Sequence, residues 1–214
     1  MKVISVNVGV PRAIVWKGRD ITTGIFKAPV AGRVKVDRLN IEGDRQADLT
    51  VHGGADKAIY VYPSEHYEFW RGELPEMDLP WAAFGENLTT EGLLEDRVNI
   101  GDRFRIGTIE VMVTQPRMPC YKLSAKFDRD DIIKRFLASR RSGFYLAVTE
   151  EGEIGAGDEI EPVIRDACNI TVTDIVRLYV DKPKDFELMK RAVQVEALSE
   201  GWRTHFQDQL AKMD

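Results

Sequence analysis

One cysteine in this chain sits where its thiol could do chemistry. Cys120 lies in the stretch Gln115-Pro116-Arg117-Met118-Pro119-Cys120-Tyr121-Lys122-Leu123, among prolines and cations. Pro116 and Pro119 each fix φ and remove a backbone donor, so an ordinary helix or central strand is not expected here. Pro119 also pushes Met118 towards extended geometry. The segment should therefore present Cys120 from a stiff, irregular turn. If Arg117 and Lys122 approach it in space as they do in sequence, their charge favours the thiolate. A thiolate on a rigid loop is a nucleophile or a soft-metal ligand. The plainer alternative is a small buried hydrophobe. Cys168 has no proline bracket and reads as structural.

A second cluster of polar residues precedes this stretch. His52-Gly53-Gly54 sets an imidazole before paired glycines. Such a pair can let backbone approach a ligand and aim N–H groups at an anion, although a plain turn also explains it. Arg45 and Lys57 flank the pair. Taken with Arg117 and Lys122, they could form a phosphate-binding rim of charge-assisted donors; taken singly, each is a solvated surface charge. Asn87, two residues after Gly85, is either a turn residue or a partner for a heterocycle edge. His66 and His205 fall on predicted helices, so His52 has no second histidine at zinc-ligand spacing. The chain lacks G-x-G-x-x-G, G-x-x-x-x-G-K-[ST], C-x-x-C and G-x-S-x-G. A redox role would therefore draw electrons from another protein.

The elements that must position these residues follow from periodicity. The chain has 214 residues, 43% hydrophobic and 30% charged, which is ordinary globular composition. A net charge of −5 argues against a broad nucleic-acid footprint but leaves room for a local basic pocket. No apolar run is long enough for a bilayer, and the start lacks a signal peptide's apolar core. Two distant cysteines make no disulfide framework, and a reducing cytoplasm suits an exposed thiolate. Strands are predicted over 2–9, 13–16, 24–28, 32–41, 59–62, 144–148 and 159–164, with more alternation over 98–113. Residues 43–48 and 85–92 read as polar loops. Helices are predicted from Pro63-Ser64 to Trp70 and over 130–139, with a helical turn over 122–127. This spacing suggests a closed or nearly closed barrel. After Asp166 the character turns helical: 172–180 with Thr171 as N-cap, then 185–198 and 199–212. The reading is a mainly β, α+β chain divided into a β-barrel domain, 1–166, and a C-terminal three-helix unit, 167–214.

In order and spacing, Gly43-Asp44-Arg45-Gln46-Ala47-Asp48, His52-Gly53-Gly54-Ala55-Asp56-Lys57-Ala58, Gly85-Glu86-Asn87-Leu88, Gly101-Asp102 and the Cys120 stretch resemble the MOSC family, named for the C-terminal domain of molybdenum cofactor sulfurases. The likeness is to its stand-alone bacterial YiiM type and covers essentially the whole chain. It implies a barrel-like domain holding a molybdenum–pterin cofactor (molybdopterin), with Cys120 as metal ligand. A thiolate is the soft ligand such a centre takes. Arg45, His52, Lys57, Asn87, Arg117 and Lys122 lie on matching segments and become cofactor-binding candidates. The resemblance further implies reduction of N-hydroxylated compounds, including hydroxylamino base analogues, to amines, a detoxifying oxidoreductase activity. Electrons would come from a flavin-containing reductase, and His52 or Asp48 would shuttle protons. The pyridoxal-phosphate domain of sulfurases is not expected in a chain of this length. A different class of function is a sulfur or cofactor carrier that uses Cys120 without turnover. A third is a binding module whose tail docks a partner. The apolar tail faces would pack on the barrel or on a second subunit as a homodimer.

Overall fold

The computed structural model describes residues 1–47, 53–182 and 184–212. Asp48 and His52 lie outside the described residues. The chain opens with β1 (Lys2–Val8), the hairpin β2 (Arg12–Trp16) and β3 (Arg19–Thr23), then β4 (Ala28–Pro29) and β5 (Arg33–Val36). A short 3-10 turn, Ala55–Lys57, leads into β6 (Ile59–Pro63), α1 (Glu65–Glu73) and β7 (Leu88–Glu91). β8 (Arg103–Ile106) and β9 (Ile109–Pro116) precede α2 (Tyr121–Phe127) and α3 (Ile132–Ser139). β10 (Phe144–Glu150), β11 (Gly152–Gly155) and β12 (Ile160–Ile164) complete the strands, and α4 (Val172–Val180), α5 (Phe186–Ala192) and α6 (Glu200–Leu210) follow.

The principal sheet has eight strands in the order β12-β8-β9-β10-β6-β7-β1-β4. Every pairing is antiparallel except β6 with β7. The architecture is α+β, as the strand and helix patterns predict. No closed barrel ladder forms among the described residues. Instead the sheet curls until β1 meets the lead-in to β12 through one isolated bridge, Lys2↔Glu159, and backbone bonds such as Val3 N to Asp158 O, 2.9 Å. Gly157, at φ +93°, turns the chain at this seam and donates its N–H to the Val3 carbonyl at 2.8 Å.

Strand alternation divides the apolar side chains between two clusters. Ile59, Val61, Phe144 and Leu146 face one cluster, while Tyr60, Tyr62 and Tyr145 face the other. The first cluster continues into Ile175, Leu178, Met189, Leu198 and Phe206, so the C-terminal helices share the core of the sheet. The second is aromatic: Tyr62, Trp70, Phe84 and Phe136 are all at most 1% exposed. Burial of each such side chain contributes about 1.5–3 kcal/mol.

Several expectations change in detail. The 85–92 segment, read as a loop, contains β7. Its threonines are buried, and Thr89 Oγ1 donates to Glu86 (3.0 Å) while accepting from Asn7 Nδ2 (3.3 Å). Polar composition thus conceals an interior strand. Of the expected 24–28 strand, only Ala28 enters a ladder: Ile25 N donates to Thr23 Oγ1 (3.2 Å) and Lys27 N to the Ile25 carbonyl (3.1 Å), so these donors are engaged locally. The expected 32–41 strand ends at Val36, where Asp37 Oδ1 accepts from Leu39 N and Asn40 N, both at 2.8 Å. Pro116 does end a central strand, opposite Phe144. The missing donor is tolerated because β8 pairs β9 only as far as Met112. Pro63 ends β6, and α1 begins at Glu65. Thr171 caps α4 reciprocally: its Oγ1 accepts from Asp174 N, and Asp174 Oδ2 accepts from Thr171 N, both at 3.0 Å.

Candidate functional site

Cys120 is positioned by three successive constraints. β9 ends at Pro116, residues 117–120 are irregular, and Cys120 itself is the extended N-cap of α2, at φ −127° and ψ 171°. The Arg117 backbone N–H donates to the Gly143 carbonyl at 3.2 Å. Gly143 can be nothing larger without movement: its φ is +61°, and a Cβ would lie 2.3 Å from the Val61 carbonyl oxygen. The loop is therefore fastened where β6 meets β10.

Arg117 then turns inward and is only 5% exposed. Its guanidinium lies 5.3 Å from the Tyr60 ring centre and 5.1 Å from that of Phe136. Among the described residues its Nη1 has no hydrogen-bond partner. A buried guanidinium nitrogen without an acceptor is costly, and it marks a place where an anion would be held. Lys122, two residues beyond Cys120 in the first turn of α2, is also buried.

The opposite wall comes from residues 24–27 and from Arg45. Lys27 pairs with Asp44, whose carboxylate also accepts from Gly9 N and Asn87 Nδ2, both at 2.9 Å. Burial lowers the Lys27 pKa, and Asp44 opposes that shift. Lys126, behind this wall, donates from Nζ to the carbonyls of Ile25 (3.0 Å) and Ala82 (2.5 Å). Burial pulls its pKa down to about 8; Glu86 resists, while Lys27 and Arg117 add to the fall. Glu86, fully buried, accepts from Ala82 N (2.9 Å), Phe84 N (3.1 Å) and Thr89 Oγ1 (3.0 Å), and from Tyr67. Asp44 and Glu86 thus lie behind a layer of cations and make its burial tolerable.

Arg45, Lys57, Asn87, Arg117, Cys120 and Lys122 line one pocket, so the structure brings together every predicted site residue that it describes. Lys27, Tyr60 and Tyr145 join them, and no lining side chain among the described residues is acidic. Asn87 differs from its expected use. Its Nδ2 donates to Asn7 O (3.3 Å) and Asp44 (2.9 Å), and its Oδ1 accepts from Tyr60 N (3.1 Å). With both amide hydrogens engaged, it braces the wall instead of offering donors to a ligand. Lys27 and Lys126 carry only a faint sequence signal: Lys126 falls four residues after Lys122 on α2, one helical turn along.

Cys120 also lines a second cavity, shared with Lys57, Met118 and Tyr145 and closed on its far side by Tyr179, Ser199–Trp202 and His205. The inner pocket has about 100 Å³ of free space and the outer cleft about 650 Å³. The thiol sits where the two meet. No group of three His, Cys, Asp or Glu suited to a metal ion occurs among the described residues. One thiolate is a poor cage by itself, so a metal at Cys120 would bring most of its ligands with it.

Comparison with known proteins places the chain in a family. Residues 48–161 match the model of the MOSC domain, and residues 170–212 match the YiiM-like, 3-alpha helix domain. The chain belongs to the MOSC domain family. The MOSC chain is 43% identical over 204 residues to the uncharacterized protein YflK of Bacillus subtilis, covering 95% of this chain and 92% of that one. The crystal structure of YiiM from Geobacillus stearothermophilus superimposes with a TM-score of 0.83 at 36% identity, covering 98% of each chain. A protein of Gibberella moniliformis named "Reductase" is 32% identical over 181 residues, which are 83% of the MOSC chain and 32% of that relative. No helix among the described residues is long and apolar enough to cross a membrane.

Proposed function

We propose that this MOSC protein is a molybdenum-cofactor-dependent reductase that converts N-hydroxylated compounds, hydroxylamino base analogues among them, to amines. Its electrons would come from a separate flavin-containing reductase. One observation carries this reading: the Cys120 thiol stands between a basic pocket with an orphaned guanidinium nitrogen and an open cleft. The family is associated with the molybdenum cofactor, and a relative bears the name of a reductase.

The residues present suit that cofactor chemically. Arg117, Lys122, Lys27, Arg45 and Lys57 would hold its phosphate, and Cys120 would offer the soft thiolate its metal takes. The inner pocket is narrower than a whole pterin needs, so loading requires Arg45 and Lys57 at its less buried rim to give way. When bound, the cofactor would supply the two electrons that cleave the N–O bond. The balance is R–NHOH plus two electrons and two protons giving R–NH₂ and water. Arg117 would hold the cofactor's anionic group in the inner pocket, and the Pro116–Pro119 turn places the thiol at the boundary of the two cavities. Tyr145 borders both cavities and keeps the junction narrow. Asp48 and His52 are proposed as proton carriers.

The reading is tested by supplying the cofactor-loaded protein with a chemical reductant and N-phenylhydroxylamine. Aniline should form, and Cys120→Ala should lower its rate at least a hundredfold, because metal anchoring is lost altogether (~10²-fold or more for a lost metal environment). Equal rates in the two proteins would end the proposal.

A further inference from the structure

The outer cleft has an aromatic far wall that the cofactor reading leaves unused. Tyr179 on α4 and Trp202 and His205 on α6 meet in a mutual cluster. Tyr179 and Trp202 lie 5.5 Å apart between ring centres at 77°, Tyr179 and His205 5.6 Å, and Trp202 and His205 6.2 Å. All three face the cavity that Cys120 lines from the other side. They are not simply core: Tyr179 is 44% exposed, and Trp202 and His205 are half-buried.

This wall is held rigidly to the Cys120 loop. Ser199, the N-cap of α6, donates its hydroxyl to Gln115, the penultimate residue of β9. Phe206, fully buried, seats α6 in the main core and lies 5.5 Å from Trp202. The cleft therefore has a fixed width, with a thiol on one side and π-faces on the other. Among the described residues its one lining lysine or arginine is Lys57, shared with the inner pocket, and it carries the carboxylates Asp56 and Glu200. That charge pattern suits an uncharged ligand better than an anion.

We infer that Tyr179, Trp202 and His205 form the substrate wall of the protein, selecting planar, uncharged aromatic or heteroaromatic N-hydroxylated compounds by stacking. This rests on the reductase reading for the word substrate, but the binding site stands on the geometry of the cleft. Trp202 is a specificity-determining residue, and the C-terminal helices supply half of the site. Sequence-tolerant stacking of a base on an aromatic side chain is what such a wall provides.

The test uses the full chain purified from a host that makes molybdenum cofactor. Adenine, planar and without an N–O bond, is titrated by calorimetry into wild type, Trp202→Ala, Trp202→Phe and Tyr179→Ala. Adenine should bind wild type, weaken about five- to a hundredfold in Trp202→Ala, and stay within about threefold in Trp202→Phe. Tyr179→Ala, at an exposed ring, supplies a fold-neutral check and should weaken binding severalfold. In the reductase assay, Trp202→Ala should raise KM for N-phenylhydroxylamine severalfold more than KM for N-methylhydroxylamine, which offers no ring to stack. Absence of adenine binding to wild type, or equal KM shifts for the planar and aliphatic substrates, overturns the inference. If adenine binds as expected but neither hydroxylamine is reduced, the cleft stands and the reductase reading falls.

Discussion

The two cavities that meet at Cys120 are built on opposite principles. Among the described residues, the inner pocket is lined by Lys27, Arg45, Lys57, Arg117 and Lys122 and no acid, and the outer cleft by the rings of Tyr145, Tyr179, Trp202 and His205, two carboxylates and one lysine. The inner one is made by residues of the sheet domain and of the Cys120 loop. The outer one is completed by α4 and α6. An anion and an uncharged planar molecule would therefore partition to different sides of the same thiol. The comparison suggests why the three-helix tail shares a core with the sheet: a substrate wall must keep its distance from the reacting centre, and continuous packing through Ile175, Leu178 and Phe206 fixes that distance.

Substitutions should separate the two regions. The largest effect is expected from Gly143→Ala, which forces a Cβ to within 2.3 Å of the Val61 carbonyl at a φ of +61°. The Arg117 anchor and the β6–β10 pairing would both strain, at a cost of about 2–4 kcal/mol in denaturant unfolding. Next, Arg117→Met removes one buried cation, which lines the inner pocket and not the outer cleft. Loss of its charge-assisted bonds should weaken pyrophosphate binding by calorimetry at least tenfold (about 1.5–3 kcal/mol). Adenine binding to the outer cleft should be unchanged. Parallel loss of both ligands would show that the two cavities act as one.

Two smaller effects sharpen the contrast. Lys126 has a folded pKa of about 8 against an ordinary 10.5. Between those values the unfolded chain binds the extra proton, so stability should rise with pH across that window, and Lys126→Met should flatten the rise. Because Lys126 belongs to the inner side, anion binding there should weaken as pH climbs through about 8, while adenine binding should not respond. The mildest change is Ser199→Ala, which removes the hydroxyl that α6 donates to Gln115. A loss of about 1 kcal/mol is expected, with KM for planar substrates up severalfold and molybdenum content unaltered.

Much of this was legible in the sequence wherever a signal is local. The prolines around Cys120, the N-cap at Thr171, the alternation in β9 and the helix α4 each depend on near neighbours. The cationic rim was legible as residue types, and folding brings Arg45, Lys57, Arg117 and Lys122 to one pocket. What escaped was long-range. β7 was hidden because both its threonines are buried, and Thr89 satisfies its hydroxyl in the interior through Glu86 and Asn7, a polarity that reads as loop. Lys27 and Lys126 were hidden because their roles depend on Asp44 and Glu86, distant along the chain. Asn87 reads equally as a turn residue or a partner for a heterocycle edge, because its engagement with Asp44 and Asn7 spans distant parts of the chain. The aromatic wall joins α4 to α6 and faces a loop some sixty residues upstream of the nearest of its rings, a juxtaposition no spacing rule reveals.

The central claim is that Cys120 anchors a molybdenum centre at the boundary of the two cavities. Molybdenum per chain, measured on wild type and Cys120→Ala purified alike from a host that makes the cofactor, tests it most directly. The account predicts molybdenum in the wild type and its loss in the variant. Molybdenum absent from both, alongside a molybdoprotein from the same host that retains its metal, would contradict it and favour a carrier that uses the thiol for sulfur.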